Sequence, residues 1–372
     1  MPITYSLQSI HGLLAKHKPS KVCVVTSKYL RGKLGWAIKE IGVSQAQVIL
    51  LPDGEKAKEW KELEFLLKKF SGLDLDRKSI MIALGGGTVG DVACFAASIY
   101  LRGIKCIQVP TTLLAQVDSA HGGKTGINFL KYKNQIGSFH MPVATIIDTR
   151  FLETLSREQI VDGLGEIIKA GLIKDPSILS LLKKHTIHSL RTSSDLQKII
   201  KKSIVVKKYF TGKDFNDNGL RQILNVGHTI GHALELKYKI SHGRAVLIGM
   251  IEELSLSESL KLTHPSVWEN LANLLNKLGI IVDRDTKADW KTILHDKKIR
   301  GNKIEFPVVV KEGKSKLVSI NLDLLKSKFQ VKEEFNAKTR RDVERVLKDI
   351  KEGKNLSPSF TTVKEARAYL EN

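Results

Sequence analysis

The sequence predicts an α/β protein: an N-terminal doubly wound, Rossmann-like parallel sheet, then a mainly α-helical region. Three observations predict it. Five short apolar runs rich in Val and Ile occupy the first 150 residues, as expected of strands covered on both faces. Amphipathic stretches such as KEWKELEFLLKKFSGL (58–73) lie between them, the alternation of a parallel sheet. After residue 150 the strand signals fade and apolar residues recur at helical spacing.

The expected strands are KVCVVTS (21–27), AQVILLP (46–52), SIMIALGGG (79–87), IKCIQVPTT (104–112) and ATIIDT (144–149). Helices are expected in LSREQIVDGLGEIIKAGLI, ILSLLKKHTIHSLR, LQKIIKKSIVVKKYF and VWENLANLLNKLGI, with a two-strand unit at 303–320. The domain division follows: 1–149, an α/β domain; 150–334, a mainly helical domain; 335–372, a charged tail.

The chain has 372 residues, 42% of them hydrophobic, enough for a large core. No run of about 18 apolar residues occurs, so no membrane span is expected. The N-terminus MPITYSLQSIHGLL lacks a signal-peptide pattern. Cys23, Cys94 and Cys106 sit in apolar surroundings and read as buried thiols of a cytoplasmic protein. The net charge of +21 reads as a lysine-rich solvated surface or as attraction for anionic ligands. Aromatics are only 6% and are not interleaved with the basic residues, which weakens a platform for single-stranded nucleic acid.

ALGGGTVGD (83–91) follows a strand and opens a helix, a context for a phosphate at a helix N-terminus or for a simple tight turn. PTTLLAQVDSAHGGKTGINFLKYKNQIGSFH (110–140) reads as a loop-rich region at the carboxyl end of a strand, rich in polar groups that can grip an anion. Glu166 and Lys169 share one helix face, ordinarily a surface pair. GHTIGHALE places His228 and His232 at i and i+4. The zincin glutamate is missing, because Thr229 follows His228. His242 and a carboxylate can complete a metal set; otherwise these are capped or core histidines.

LPDGEKAK, GGGTVGD, YLRG, QVPTTLLAQVDSAHGGKTGIN, KNQIGSF, GLGEIIKAG, GLRQILNVGHTIGHALE, SHG and HDKK occur in that order between about Lys21 and Phe329. This ordered set resembles the sugar phosphate cyclase family. The resemblance implies NAD and zinc (or cobalt) as cofactors, with Glu166, His228 and His242 as metal ligands and His232 as a catalytic neighbour. It assigns Glu55, Lys58, Gly86, Gly87, Asp91, Thr111, Thr112 and Lys133 to the cofactor. It assigns Asp118, Lys124, Asn134, Lys169, Lys207, Arg221, Asn225 and a lysine of HDKK (Lys297 or Lys298) to the substrate, and Lys133 with Asn134 also suits a substrate carboxylate. Lys124, Lys169 and Asn134 join His232 as catalytic positions, as does Arg102, the arginine reaching the phosphate.

The substrate so implied is 3-deoxy-D-arabino-heptulosonate 7-phosphate. The reaction is transient oxidation by NAD, loss of phosphate, re-reduction and aldol closure to a carbocycle. A sister cyclase with another sugar phosphate, and a metal-dependent alcohol dehydrogenase of similar layout, are the alternatives. A homodimer is expected, and no membrane partner. Arg244 stands where the family carries Glu after the second zinc histidine, His121 where it often carries Val, and the first-strand turn reads TSK. The segment from Phe335 has no counterpart in the family; its last 25 residues resemble small bacterial antitoxins, which leaves a toxin or nucleic-acid partner as a further alternative.

Overall fold

The computed structural model describes residues 2–130, 132–282 and 299–327. Lys297, Lys298 and the tail 335–372 therefore lie outside the described residues. The described residues fall into two compact units, one within 1–299 together with 305–319, the other 300–304 with the described residues from 320 on. In the second, Asn302 Nδ2 donates to Asp323 Oδ2 at 2.8 Å. All site residues described below belong to the first.

The strands of the first 150 residues are β1 (Ile3–Thr4), β2 (Val22–Ser27), β3 (Val48–Leu51), β4 (Ile80–Gly85), β5 (Lys105–Pro110), β6 (Lys124–Phe129), β7 (Tyr132–Phe139) and β8 (Ala144–Ile146). Six form one sheet in the order β1-β8-β5-β4-β2-β3, and all its pairs are parallel. Each of the five expected strands is present; the two-residue β1 was not foreseen.

Alternate side chains leave opposite faces of a strand. Cys23, Val25, Met81 and Ala83 accordingly pack on one face with Leu66 and Phe70 of α4 (Trp60–Gly72) and Val92 of α5 (Gly87–Ile99). Val24, Ile80, Ile82 and Leu84 pack on the other with Ile10 of α1 (Ser9–His17) and Ile38 and Ile41 of α3 (Gly35–Ile41). The short α2 (Lys28–Lys33) follows β2, capped by Ser27.

Beyond residue 150 the chain is helical: α6 (Arg157–Ile173), α7 (Ser177–Leu182), α8 (Ile187–Arg191), α9 (Asp195–Lys213), α10 (His228–Tyr238), α11 (His242–Ser259) and α12 (Ser266–Leu278). Two strands return at Lys303–Lys311 and Lys314–Asn321, as expected. Ser156 and Gln159 form a reciprocal capping box that starts α6. A separate core, with Leu164, Ile167, Ile199, Val246 and Leu271 among its members, holds these helices together. No helix among the described residues is long and apolar enough to cross a membrane.

Stretch 110–140 departs from the loop-rich reading. It contains a π-turn, Ala115–Ser119, and the antiparallel pair β6–β7, with Ile127 opposite Ile136. Glycines disguise this hairpin in the sequence. They are there because the strands press together: a Cβ at Gly126 would lie 2.6 Å from the Ile136 carbonyl oxygen.

Candidate active site

Strand order reverses between β2 and β4, since β3 lies on one side of β2 and β4 on the other. Ligands of open α/β sheets bind outside the carboxyl ends of strands at such a switch point. A cavity of about 310 Å³ lies there, lined by Ser27, Asp53, Gly86, Thr88, Thr111 and Thr112. Gly86 precedes the first turn of α5, whose free N–H groups favour an anion. Any larger residue would crowd the turn, because a Cβ on Gly86 would approach Thr112 Cγ2 to 3.1 Å. The Thr111 hydroxyl is buried without a hydrogen-bond partner among the described residues.

Beside the cavity, Lys58 Nζ donates to Asp91 Oδ2 at 2.6 Å and to Asn134 Oδ1 at 2.5 Å. Burial pushes the Asp91 carboxyl up against the pull of Lys58. Asn128 ties in Glu55 at 2.8 Å and accepts from the Asn134 backbone at 3.0 Å. The hairpin thus joins Glu55, Lys58 and Asp91, expected at the cofactor, to Asn134, expected at the substrate, in one network.

The metal positions come from three helices. Glu166 lies in the third turn of α6, His228 opens α10 and His242 opens α11. Small residues let these helices meet. A Cβ on Gly165 would lie 2.7 Å from the Gly243 carbonyl oxygen, and one on Gly231 would lie 2.9 Å from that of Ala245. Gly227, at φ +80°, takes the left-handed turn that points the chain into α10.

The ligand atoms of Glu166, His228 and His242 all lie within 4.8 Å of one another. Both histidine Nε2 atoms stand 3.5 Å from Glu166 Oε1. That oxygen is buried and has no hydrogen-bond partner among the described residues. Lys169 holds the other oxygen, Oε2, in an ion pair whose side chains are each 3% exposed. The expected surface pair is thus a core pair, because the shared helix face turns inward. Burial alone would raise the Glu166 pKa, but the Lys169 charge and His242 hold the carboxyl well below the usual range.

The histidines are oriented from behind. His228 Nδ1 donates to the Val226 carbonyl at 3.2 Å, which leaves the Nε2 lone pair facing Glu166. His242 Nδ1 meets Glu235 Oε2 at 3.3 Å, and Glu235 Oε1 accepts from Lys133 at 2.7 Å. Burial opposes charge on His242, but the Glu166 and Glu235 carboxylates beside it raise its pKa to about 10. A carboxylate and two imidazoles, one carboxylate oxygen unpartnered, fit a zinc-type ion with room for a substrate oxygen. His232 stacks edge-on to His228 at 5.1 Å between ring centroids, a neighbour of the set.

The other residues expected at the substrate make ion pairs and hydrogen bonds of their own. Asp118, on the π-turn, forms an ion pair with Lys207 of α9. Lys124 pairs with Asp217 at 2.5 Å. Arg221 is 4% exposed and donates to the Phe215 carbonyl at 2.6 Å. Asp214 accepts from the backbone N–H groups of Asn218, Gly219 and Arg221. These bonds close the turn from Asp214 to Arg221 that follows α9. Asn225 ends the short 3-10 turn just before His228. Arg102 is not brought to the cluster: it is exposed, with φ +66°, at the far end of α5 from Gly87.

The sequence reading missed three groups: Glu235, Asp217 and Glu253. Glu235 was visible in GHTIGHALE, one turn past His232, but only the fold shows that it backs His242. Two departures from the family pattern are also placed. Arg244 donates to the Ile281 carbonyl at 3.0 Å, so its charge serves a chain turn. His121 is 2% exposed and its Nε2 binds the Gln116 carbonyl at 2.7 Å. Burial lowers its pKa to about 4, so it is a neutral core histidine.

A nucleotide-type cleft at a sheet switch point, with lysines and a carboxylate–histidine set beside it, fits the class of metal-assisted, nucleotide-dependent enzymes. Residues 48–162 match the family model "3-dehydroquinate synthase N-terminal" and residues 163–299 match "3-dehydroquinate synthase C-terminal". The chain is 42% identical to a 3-dehydroquinate synthase of Dictyoglomus thermophilum over 286 residues, 75% of this chain and 81% of that one. It is 37% identical to one of Streptococcus thermophilus over 320 residues, 82% of this chain and 88% of that one. Among solved structures it resembles 2-deoxy-scyllo-inosose synthase complexed with carbaglucose-6-phosphate, NAD+ and Co2+, with TM-score 0.76 and 26% identity over 88% of this chain and 95% of the other. The 2-epi-5-epi-valiolone synthase of Streptomyces hygroscopicus shares the fold, with TM-score 0.78 and 21% identity over 89% of this chain and 96% of that one. The chain belongs to the 3-dehydroquinate synthase family.

Proposed function

We propose that this chain converts 3-deoxy-D-arabino-heptulosonate 7-phosphate to 3-dehydroquinate and phosphate as an NAD- and divalent-metal-dependent lyase. The observation that carries the reading is the Glu166–His228–His242 set beside the switch-point cleft, in a chain of this family. A zinc or cobalt ion on those three side chains would supply Lewis-acid polarisation of a substrate hydroxyl. NAD in the cleft lined by Gly86, Thr111 and Thr112 would supply a hydride acceptor that is regenerated within the turnover. Lys169 keeps Glu166 ionised, and Glu235 keeps the His242 imidazole oriented. Lys124 and Lys207 offer cations to the anionic ends of the substrate, and each is paired with a carboxylate, Asp217 and Asp118.

The working division of the chain remains 1–149 for the cofactor and 150–334 for metal and substrate, supported by the separate cores of sheet and helices. A homodimer is the proposed assembly. Arg102 is exposed at the opposite end of α5 from Gly87, and a second copy is the route by which it reaches a substrate phosphate. The proposed location is the cytoplasm.

Phosphate release from the heptulosonate phosphate, with and without a chelator, tests the function. Release that stops with chelator, returns with Zn2+ or Co2+ and leaves no net NADH is expected. A protein that binds zinc and NAD but leaves this substrate unchanged, while releasing phosphate from another sugar phosphate, would make it a sister cyclase.

A further inference from the structure

Helix α10 begins without a side-chain cap at its N-cap position: Gly227 precedes His228 and has no side chain to bond the first turn. The first N–H groups of a helix have no intrahelical acceptor. Here the acceptor comes from α11. Glu253 Oε2 accepts from the Gly227 N–H at 2.6 Å and Oε1 accepts from the Ile230 N–H at 3.1 Å. Glu253 is 2% exposed. Its carboxyl group also faces the positive end of the α10 dipole, which favours the ionised form.

Helix α11 therefore approaches the start of α10 along its length. His242, its first residue, lies 5.4 Å from the His228 ring between centroids. Gly249 packs against the Gly227 backbone so closely that a Cβ would run into the Gly227 carbonyl oxygen. Glu253, three turns from His242, bonds the N–H groups that bracket His228 in sequence. One helix supplies a metal position and clamps the backbone of another.

We propose that Glu253 is a positioning residue of the metal centre, whose two carboxylate oxygens fix the first turn of α10 and so aim His228 Nε2 at Glu166 Oε1. This rests on the reading of Glu166, His228 and His242 as the metal site. Without the carboxylate, two buried donors lose their acceptors and the turn carrying His228 loosens.

The test uses the full chain, with Zn2+ affinity read by chelator competition, the Co2+ visible absorption as a signature of ligand geometry, and Tm in parallel. Glu253→Ala is expected to weaken Zn2+ about tenfold or more and to alter the Co2+ bands. Glu253→Gln, which keeps one acceptor oxygen, is expected to fall between Ala and the parent. Phe70→Leu, in the sheet core, is expected to lower Tm with Zn2+ affinity unchanged. Parent-like Zn2+ affinity and Co2+ bands in folded Glu253→Ala overturn the proposal; if that variant does not fold, the same result in Glu253→Gln overturns it. Failure of the parent to bind, or parent-like binding by Glu166→Ala, overturns the metal reading instead.

Discussion

Lys169 binds one oxygen of the Glu166 carboxylate, one helical turn away, and leaves the other oxygen to His228 and His242. The two halves of one carboxylate thus do different work. One is neutralised inside the helix packing, and the other is presented bare to a metal. Removing one partner of a buried ion pair costs about 3–5 kcal/mol, because the remaining charge stays buried alone. Lys169→Met is expected to lose that much stability in urea unfolding with chelator present, and Lys169→Met/Glu166→Gln to recover much of it.

The same variant has a pH consequence. With Lys169 gone, burial is opposed by less positive charge and the Glu166 pKa rises. Metal needs the ionised carboxylate, so binding should weaken as pH falls through the raised pKa. Titrating Zn2+ affinity of Lys169→Met from pH 8 to pH 5 checks this: a profile parallel to the parent's would contradict the division of oxygens.

Helix approach is the second testable feature. A Cβ on Gly165 would sit 2.7 Å from the Gly243 carbonyl oxygen, at the crossing that brings Glu166 to His242. Gly165→Ala should cost about 1–3 kcal/mol by overpacking, and it should release bound zinc on dialysis. Gly12, exposed in α1, has nothing within 4 Å of such a Cβ. Gly12→Ala should therefore stabilise the chain, by about 0.5–1 kcal/mol, with metal content unchanged.

What the sequence made legible follows from where the information is local. Five strands were plain because a doubly covered strand is a continuous apolar run, as in IMIALG (80–85), buried throughout. The hairpin β6–β7 was not, because aromatic and polar side chains are both exposed along it and its inner contacts depend on Gly126 and Gly137 meeting backbone to backbone. The metal triad was reached through the order of motifs, since His228 and Glu166 are far apart in sequence. Glu235 and Glu253 escaped because their roles depend on which helices cross. The burial of Lys169 escaped for the same reason: an i, i+3 pair does not say which way its face turns.

His121 gives a prediction in acid. The folded chain keeps its imidazole neutral down to about pH 4, whereas an unfolded histidine takes its proton near pH 6.5. Between those values the unfolded state binds the extra proton, so stability falls as pH drops from about 6.5 and levels near 4. The full effect is at most roughly 3 kcal/mol. His121→Val removes it, along with a bond to the Gln116 carbonyl worth about 1 kcal/mol. The variant should match or fall slightly below the parent at pH 7.5 and exceed it at pH 4.5, as measured by urea midpoints at the two pH values.

Arg244 stands two residues from His242, where the family pattern carries Glu, and the charge reversal invites the expectation of a damaged metal site. The geometry argues otherwise. The guanidinium reaches the Ile281 carbonyl at 3.0 Å, while His242 receives its orienting bond from Glu235 and its position from the Gly165–Gly243 contact. None of those depends on the Arg244 side chain. Arg244→Glu should leave Zn2+ affinity within about twofold, a difference of roughly 0.4 kcal/mol. Loss of the single exposed bond should shift stability by no more than about 1 kcal/mol. Zn2+ competition and urea unfolding on the one variant settle both expectations. A tenfold change in affinity at unchanged stability would mean that position 244 acts on the metal through His242 after all.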